Sequence, residues 1–198
     1  MGKIFLQSKV VLFVLFFNCA LSFSTNAQNK AKHLHQLNDL LINTVMVDFF
    51  SPPVASRIYC YTNIAFYECI RQDDQSLHTF TGKINGLGMI PEAPKTSKVD
   101  NLIAACIAYS YVAQNLVGSE YKIEDWRKKF EDSLIQHTDA EIAKASLAYG
   151  RLVADSIVLW AKKDNYSQSR AMPRFTISNK PGTWQPTPAD YAPAIEPH

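Results

Sequence analysis

Four side chains of one predicted helix are the first candidates for chemistry, because they combine charge with regular spacing. They are Arg57, Tyr61, Ile64 and Glu68. Because they follow one another at intervals of four, three and four residues, they share one stripe of the helix. Its surroundings are mostly apolar, and a charged side chain is rarely buried there without a partner. Either Arg57 or Glu68 supports a pocket, or each belongs to an internal ion pair or a helix-end contact. We favour the structural role, since a buried charge needs a partner whether or not it has a function.

The histidines lack the spacing of metal ligands. His33 and His35 are two residues apart on a predicted helix, whereas paired ligands on a helix are three or four apart. His78 and His137 lie in separate segments without a cluster of acidic or cysteine partners, and His198 is the last residue. We expect surface roles for the first four and no metal site.

Two acidic pairs are equally weak candidates for acid–base catalysis. They are Asp73-Asp74 and Glu131-Asp132. Neighbouring side chains on a helix diverge by about 100°, so Glu131 and Asp132 cannot act on one bond. We expect both pairs to be solvated.

Residues 1–27 have the three parts of a secretory signal peptide. Lys3 and Lys9 give the positive start, Val10 to Phe17 form an apolar core, and Thr25 to Ala27 offer small residues for cleavage. The apolar run is shorter than the roughly 20 residues that span a bilayer. We therefore expect export to the periplasm or the exterior, without a stable membrane anchor.

Charge and cysteine content exclude two further classes. Losing Lys3 and Lys9 with the leader lowers the formal net charge from +2 to zero, and dispersed charges of both signs argue against a nucleic-acid partner. Cys60 and Cys69 are nine residues apart on one helix, about 13.5 Å along its axis and too far for a disulfide. All three remaining cysteines have apolar neighbours, so we expect buried thiols, with one bridge to Cys106 left open.

Hydrophobic periodicity predicts five helices within residues 28–164. The predicted bounds are about 31–49, 51–71, 97–118, 119–136 and 138–163. Ser51 caps the second helix and a Thr138-to-Glu141 capping box opens the fifth. The connection over residues 72–96 is long for a compact domain, and such connections are often functional or mobile. The second helix is apolar in most directions around its axis, so we expect it at the centre of a bundle larger than this chain.

Residues 165–198, called the C-terminal segment below, are rich in proline. We expect no regular helix or central strand from Asn165 onward. Trp184 is its large anchor, and it fits either a ligand platform or, as we favour, a peg that docks the segment onto the helices.

Two motifs give the chain a family resemblance. It resembles exported bacterial proteins related to vanadium-dependent haloperoxidases, within the phosphatidic-acid-phosphatase-type superfamily. That family has a Ser-Pro-Pro-Val-x-Ser-Arg start and an Asn-Ile-Ala-x-Tyr-Glu continuation on an early helix, then a Gly-x-Trp-x-Pro-Thr-Pro run before the catalytic half. The matching residues here are Ser51, Pro52, Pro53, Val54, Ser56, Arg57, Asn63, Ile64, Ala65, Tyr67 and Glu68, then Gly182, Trp184, Pro186, Thr187 and Pro188.

The family's oxyanion site is built from three later motifs that do not occur in this sequence. They are a Lys with a downstream Arg-Pro, a Pro-Ser-Gly-His, and a Ser-Arg followed six residues after the Arg by His. The sequence contains no Arg-Pro and no Pro-Ser-Gly. It has two Ser-Arg pairs, ending at Arg57 and Arg170, but the residue six positions after the Arg is Asn63 in the first case and Thr176 in the second, not His. We therefore assign no catalytic, cofactor-binding or metal-binding residue.

The periodicity and the resemblance together predict an all-α helical bundle of about five helices, here an incomplete domain. In the family, the complete bundle holds vanadate for peroxide-driven halide oxidation or phosphate for ester hydrolysis. The resemblance implies that this chain supplies scaffold and part of an access channel, and that it pairs with a catalytic half or with itself. It would then be inactive alone. The alternative is a complete secreted helical module that binds a partner without catalysis.

Overall fold

The computed structural model describes residues 30–178 and 180–194. Within these ranges the chain forms α-helices and one 3-10 helix and no β-strand, which confirms the all-α prediction. The α-helices are α1 (30–47), α2 (Pro52–Ile70), α3 (Asn101–Leu116), α4 (Glu120–His137), α5 (Ala140–Ala161) and α6 (Tyr166–Arg170), and the 3-10 helix covers Arg71–Asp73. The predicted leader, residues 1–27, lies outside the described part. None of the described helices is long and apolar enough to cross a membrane.

Helix α3 is the centre of the bundle. Every residue from Ile103 to Ser110 is buried, so the helix is covered on all sides, and it packs against α2, α5 and α4. A helix that is apolar all round belongs in such a position. The prediction that α2 lies at the centre is wrong, because α2 keeps Pro52, Pro53 and Cys60 at the surface.

The contact between α3 and α5 depends on a glycine. A Cβ atom placed on Gly150 of α5 would lie 2.5 Å from the backbone oxygen of Ala104 and 3.0 Å from the Cβ of Ile107. On the α3 side of this crossing, Ala104 has a small side chain and is fully buried. Small residues on both helices therefore bring the two backbones into direct contact, which a larger side chain would prevent.

Helix α1 is joined to α2 and α3 by a polar network as well as by apolar packing. The amide groups of Asn38 and Asn63 exchange two hydrogen bonds of 3.3 and 3.1 Å. The Tyr109 hydroxyl of α3 donates to Asn38 Oδ1 at 2.9 Å. These bonds are partly shielded from water, and removing one partner would leave the others unsatisfied, so the network holds the three helices in one register.

The end of α1 also positions α4. The Asp48 carboxylate accepts hydrogen bonds from the backbone N–H groups of Gly118 and Ser119, at 2.8 and 3.0 Å, and from the Ser119 hydroxyl. Partial burial opposes ionisation of Asp48, but these bonds outweigh it and hold the pKa of the carboxyl below its usual value. A carboxylate at the start of a helix also interacts favourably with the helix dipole.

Three predicted features at helix ends are wrong, each for a local reason. Helix α3 begins after Asp100 and not at Ser97, because the Asp100 carboxylate accepts from the N–H groups of Leu102 and Ile103. Asp139, not Thr138, caps α5 in the same way. The short helix α6 was not predicted at all. It fits between Asn165, a left-handed residue with φ 64°, and the first proline of the C-terminal segment, Pro173.

The three cysteines among the described residues are free thiols, and they differ in environment. Cys69 and Cys106 are buried, as predicted, and burial raises the pKa of Cys106 to about 12 and that of Cys69 further. Cys60 is exposed, so its predicted burial is wrong. It lies on the outward stripe of α2 with Pro53 and Ser56, which the apolar neighbours in sequence did not reveal.

Two aromatic residues of the C-terminal segment, Phe175 and Trp184, pack on each other. Trp184 is 46% exposed, and its ring meets Phe175 of the same segment at 6.1 Å. The Thr183 hydroxyl closes the turn between these aromatic residues through bonds to the carbonyl oxygens of Ser178 and Lys180. The prediction that Trp184 is a peg on the helices is therefore wrong for this chain.

The close approach at Gly150 predicts a large loss of stability for Gly150→Ala. The new methyl group must push α3 and α5 apart, and overpacking of this kind costs roughly 1–3 kcal/mol. Gly88→Ala is the matched control, since a Cβ there meets nothing within 4 Å. Urea denaturation followed by circular dichroism measures both variants. Equal midpoints for the two would show that the backbones are not in contact.

Candidate functional site: the two charged clusters of helix α2

Arg57 and Tyr61 form the first cluster with the end of α5. The Arg57 Nε atom donates to Asp164 Oδ2 at 2.5 Å, and the Tyr61 hydroxyl donates to the same oxygen at 2.9 Å. A second guanidinium nitrogen donates to the backbone oxygen of Ala161 at 3.2 Å. Since that oxygen lies in the last turn of α5, Arg57 also neutralises the negative end of the helix dipole.

Aromatic rings enclose this cluster. The guanidinium carbon of Arg57 lies 4.4 Å from the centre of the Tyr166 ring, and the Tyr61 ring meets Trp160 edge to face at 4.7 Å. Partial burial and the hydrogen bond to Asp164 raise the pKa of Tyr61 to about 12. The hydroxyl of Tyr61 therefore stays protonated at neutral pH and acts as a donor.

Asp164 remains ionised because its hydrogen bonds outweigh its burial. Desolvation alone would raise the pKa of this carboxyl, but bonds from Arg57, the Tyr166 N–H and Tyr61 hold it below its usual value. A carboxylate whose pKa is lowered by folding stabilises the protein above its ordinary pKa of 3.8, and the contribution is lost as the pH falls through the lowered value. The cluster is thus intact across the neutral range.

Glu68 forms the second cluster and is completely buried. Its carboxylate accepts from Arg71 Nε at 2.6 Å, from the Phe80 N–H at 2.7 Å and from the Thr79 hydroxyl at 3.0 Å. These donors supply the partners that a buried charge requires. The carboxylate therefore ties the connection after α2 back onto the helix.

The connection between the 3-10 helix and α3, residues 74–100, is called the long loop below. It has no regular structure, as predicted, but it is firmly attached. Leu87 and Ile90 are buried in the core. Trp160 Nε1 donates to the Asn85 oxygen at 3.2 Å, and the Tyr149 hydroxyl donates to the Pro91 oxygen at 3.3 Å. The long loop is thus a fixed wall against α2 and α5 and not a lid.

A third charged group lies between α3 and α4. Arg127 is buried to 7% exposure, and its guanidinium covers the Tyr111 ring at 3.9 Å and donates to Gln114 Oε1. Its Nε atom lies 3.7 Å from Glu131 Oε1. The guanidinium carbon of Arg151 lies 4.9 Å from the centre of the same tyrosine ring. These contacts fasten the two helices together, with the charge of Arg127 facing a carboxylate.

The structure also places the other candidate residues apart from one another. His35, His78 and His137 are exposed, and His33 is half-buried beside Phe130. Asp73 bonds to Lys30 and Asn101, whereas Asp74 closes a turn with Ser76. Across residues 30–178 and 180–194, no three His, Cys, Asp or Glu side chains are grouped so that they could hold a metal ion.

The buried Arg127 and the half-buried Arg57 and Arg71 do not fit a vanadate or phosphate ion. Arg57, Arg71 and Arg127 each face a carboxylate, from Asp164, Glu68 and Glu131 respectively. An oxyanion site needs cationic donors whose charge is not already neutralised within the protein. The two clusters of α2 therefore hold the fold together, and an oxyanion would have to be bound by other residues.

The comparisons with known proteins agree with the fold. The crystal structure of the first bacterial vanadium-dependent iodoperoxidase matches this chain with a TM-score of 0.75 and 38% sequence identity. The match covers 84% of this chain and 40% of that one, so the chain spans less than half the length of this relative. No family model and no curated protein matches the sequence. The chain is thus a relative of the vanadium-dependent haloperoxidases.

Sequence reasoning identified α2 and missed its partners. One interpretation of the sequence was that Arg57 or Glu68 belongs to an ion pair. Both residues are paired, but they have different partners and lie at opposite ends of the helix. Asp164 is 107 residues from Arg57 along the chain. One signal in the sequence could have identified Asp164 as a partner. It lies just after the predicted end of the fifth helix, where an acidic residue is unfavourable unless a cation lies beside it.

These partners predict which double mutants are additive. Arg57→Ala and Asp164→Ala share one ion pair, so their effects on the free energy of unfolding should be coupled by about 1 kcal/mol or more. Arg57→Ala and Glu68→Ala have no common partner and should add within about 0.5 kcal/mol. Glu68→Ala alone should cost about 3 kcal/mol, because it leaves Arg71 unpaired. Urea titrations of the single and double mutants measure these terms, and coupling of Arg57 to Glu68 would refute the assignment.

Proposed function

We propose that this chain is the N-terminal scaffold portion of an exported enzyme of the vanadium haloperoxidase type. The observation that carries the proposal is the 38% identity to a vanadium-dependent iodoperoxidase over 84% of this chain but 40% of that protein. The three oxyanion-site motifs do not occur in the sequence, and Arg57 and Arg71 are already paired with carboxylates. The chain thus supplies frame and channel wall, and the long loop fixed to α2 and α5 is the segment suited to the wall.

The parent reaction that we propose is peroxide-driven halide oxidation, with phosphate ester hydrolysis as the other reaction of the wider phosphatase-type superfamily. Both would act on a tetrahedral oxyanion centre, vanadate as a resident cofactor or phosphate as the transferred group. Neither needs a nucleophile or base from helices α1 to α5. In this proposal the protein is secreted or periplasmic, and its partner is a catalytic half or a second copy of itself.

The second candidate is a complete secreted module that binds a partner without catalysis. The observation in its favour is that α3 is buried on all sides by the helices of this chain itself. The two candidates differ in what the scaffold does when it is joined to a catalytic half.

A chimera separates the candidates. In it, residues 28–194 of this chain replace the matching segment of the iodoperoxidase. The scaffold proposal predicts vanadate-dependent iodide oxidation by the chimera, because the catalytic groups all come from the other protein. Residues 28–198 alone should give no turnover with peroxide and iodide, or with phosphate esters, whether or not vanadate is added.

The control is the same chimera with Gly150→Ala, which should lose activity and thermal stability together. A chimera that melts cooperatively but oxidises no iodide would favour the binding module. Vanadate-dependent turnover by residues 28–198 alone would contradict the proposed division of labour.

A further inference from the structure

The outer side of helix α1 changes from polar to apolar halfway along its length. Its first half exposes Lys32, His35 and Asp39, whereas its second half exposes hydrophobic residues that continue into the start of α2. We call this second surface the corner. It consists of Ile42, Met46, Val47, Phe49, Pro52 and Pro53.

The corner carries no available charge. From Ile42 to Ser56, Asp48 is the single ionisable residue, and its carboxylate is occupied by the N–H groups of Gly118 and Ser119. Ile42 and Met46 are four residues apart on α1 and so share one stripe of the helix, and Phe49 follows just beyond the end of that helix. An exposed apolar surface of this kind marks an interaction site.

Phe49 occupies a position that normally belongs to glycine. Helix α1 ends in a Schellman motif, with bonds of 3.1 Å from the Phe50 N–H to the Val45 oxygen and 3.3 Å from the Phe49 N–H to the Met46 oxygen. The residue at this point adopts the left-handed conformation, and Phe49 does so with φ 55°. A phenylalanine is strained there, and its ring is 93% exposed.

The ring of Phe49 therefore brings strain without an intramolecular gain. Phe50 makes the inward contact that completes the motif, because it packs against the core beside Val45. A glycine in place of Phe49 would serve the fold better. Strain that the fold does not need points to a role outside the molecule.

We propose that the corner is a contact surface between two copies of this chain. In a twofold dimer each surface patch meets its own copy, so a patch with unpaired charge of one sign repels itself. The corner is apolar and free of available charge, and it meets that requirement, whereas the polar first half of α1 does not. Phe49 is the central anchor of the contact, since large aromatic residues dominate such interfaces.

The size of the corner fits a weak dimer. Its exposed side chains offer roughly 500 Å² in each copy, so a dimer would bury about 1,000 Å² in total. That value is at the lower end for a specific interface. We expect a dissociation constant on the order of 10 to 100 μM, with monomer and dimer in rapid exchange.

Phe49→Gly tests the proposal, because it should change association and stability in opposite directions. Residues 28–198 should show a monomer–dimer equilibrium in sedimentation velocity between about 1 and 300 μM, and Phe49→Gly should weaken it at least tenfold. At concentrations where both proteins are monomeric, the variant should melt about 2–4 °C higher, because glycine relieves the strained φ. If Phe49 served only to stabilise the fold, Phe49→Gly would lower the melting temperature.

Two control variants locate the effect. Met89→Ser removes a side chain that is 86% exposed on the long loop, and Trp184→Ser removes the largest exposed ring of the C-terminal segment. Both should dimerise like the parent protein. A parent protein that stays monomeric up to 300 μM would overturn the proposal. Dimerisation that survives Phe49→Gly, or that depends on Trp184, would overturn it as well.

Discussion

The direct contact between the backbones of α3 and α5 at Gly150 is the constraint on which the rest of the bundle depends. With Ala104 and Ile107 against this glycine, α3 lies deep enough to be enclosed by α2, α4 and α5. The depth of α3 sets where α2 packs and, through Asn38, Asn63 and Tyr109, the register of α1. The long loop can then reach Tyr149 and Trp160 on α5 while Glu68 holds its first part on α2.

The same arrangement explains why Arg57, Arg71 and Arg127 are not available to hold an oxyanion. Three arginines of the described helices join elements of the fold: Arg57 joins α2 to the end of α5, Arg71 holds Glu68, and Arg127 joins α4 to α3. Removing Arg71, for example, would leave the fully buried carboxylate of Glu68 without its cation, which costs several kcal/mol. These groups are committed to stability, and an oxyanion must be held by residues elsewhere in a protein of this family.

The sequence predicted the elements well and their contacts poorly. Helical periodicity located five of the helices, and the length of the connection after α2 showed that it would be irregular. The predicted helix ends were wrong where two neighbouring residues can both act as the cap. Thr138 and Asp139 are an example, because either side chain can accept from N–H groups in the first turn of α5. The attachment of the long loop depends on Glu68, Tyr149 and Trp160, which are far apart in sequence, so no local pattern contains it. Periodicity likewise could not tell which of two apolar helices, α2 or α3, lies at the centre.

Of the candidate residues, Arg57 and Glu68 were correctly expected to need partners, but only the fold shows that the partners differ. The exposed ring of Phe49 could not be predicted, since hydrophobicity alone places it inside. The family resemblance rested on motifs such as Ser51 to Arg57, which build the start of α2, and the match to the iodoperoxidase confirms the relationship.

The central claim is that this chain supplies the frame of a haloperoxidase-type fold and not its oxyanion site. Isothermal titration of vanadate into residues 28–198 tests it most directly, with the iodoperoxidase as the positive control. The account predicts no saturable heat at vanadate concentrations that saturate the control, because Arg57, Arg71 and Arg127 are already paired with carboxylates. Saturable binding of one vanadate per chain would contradict it.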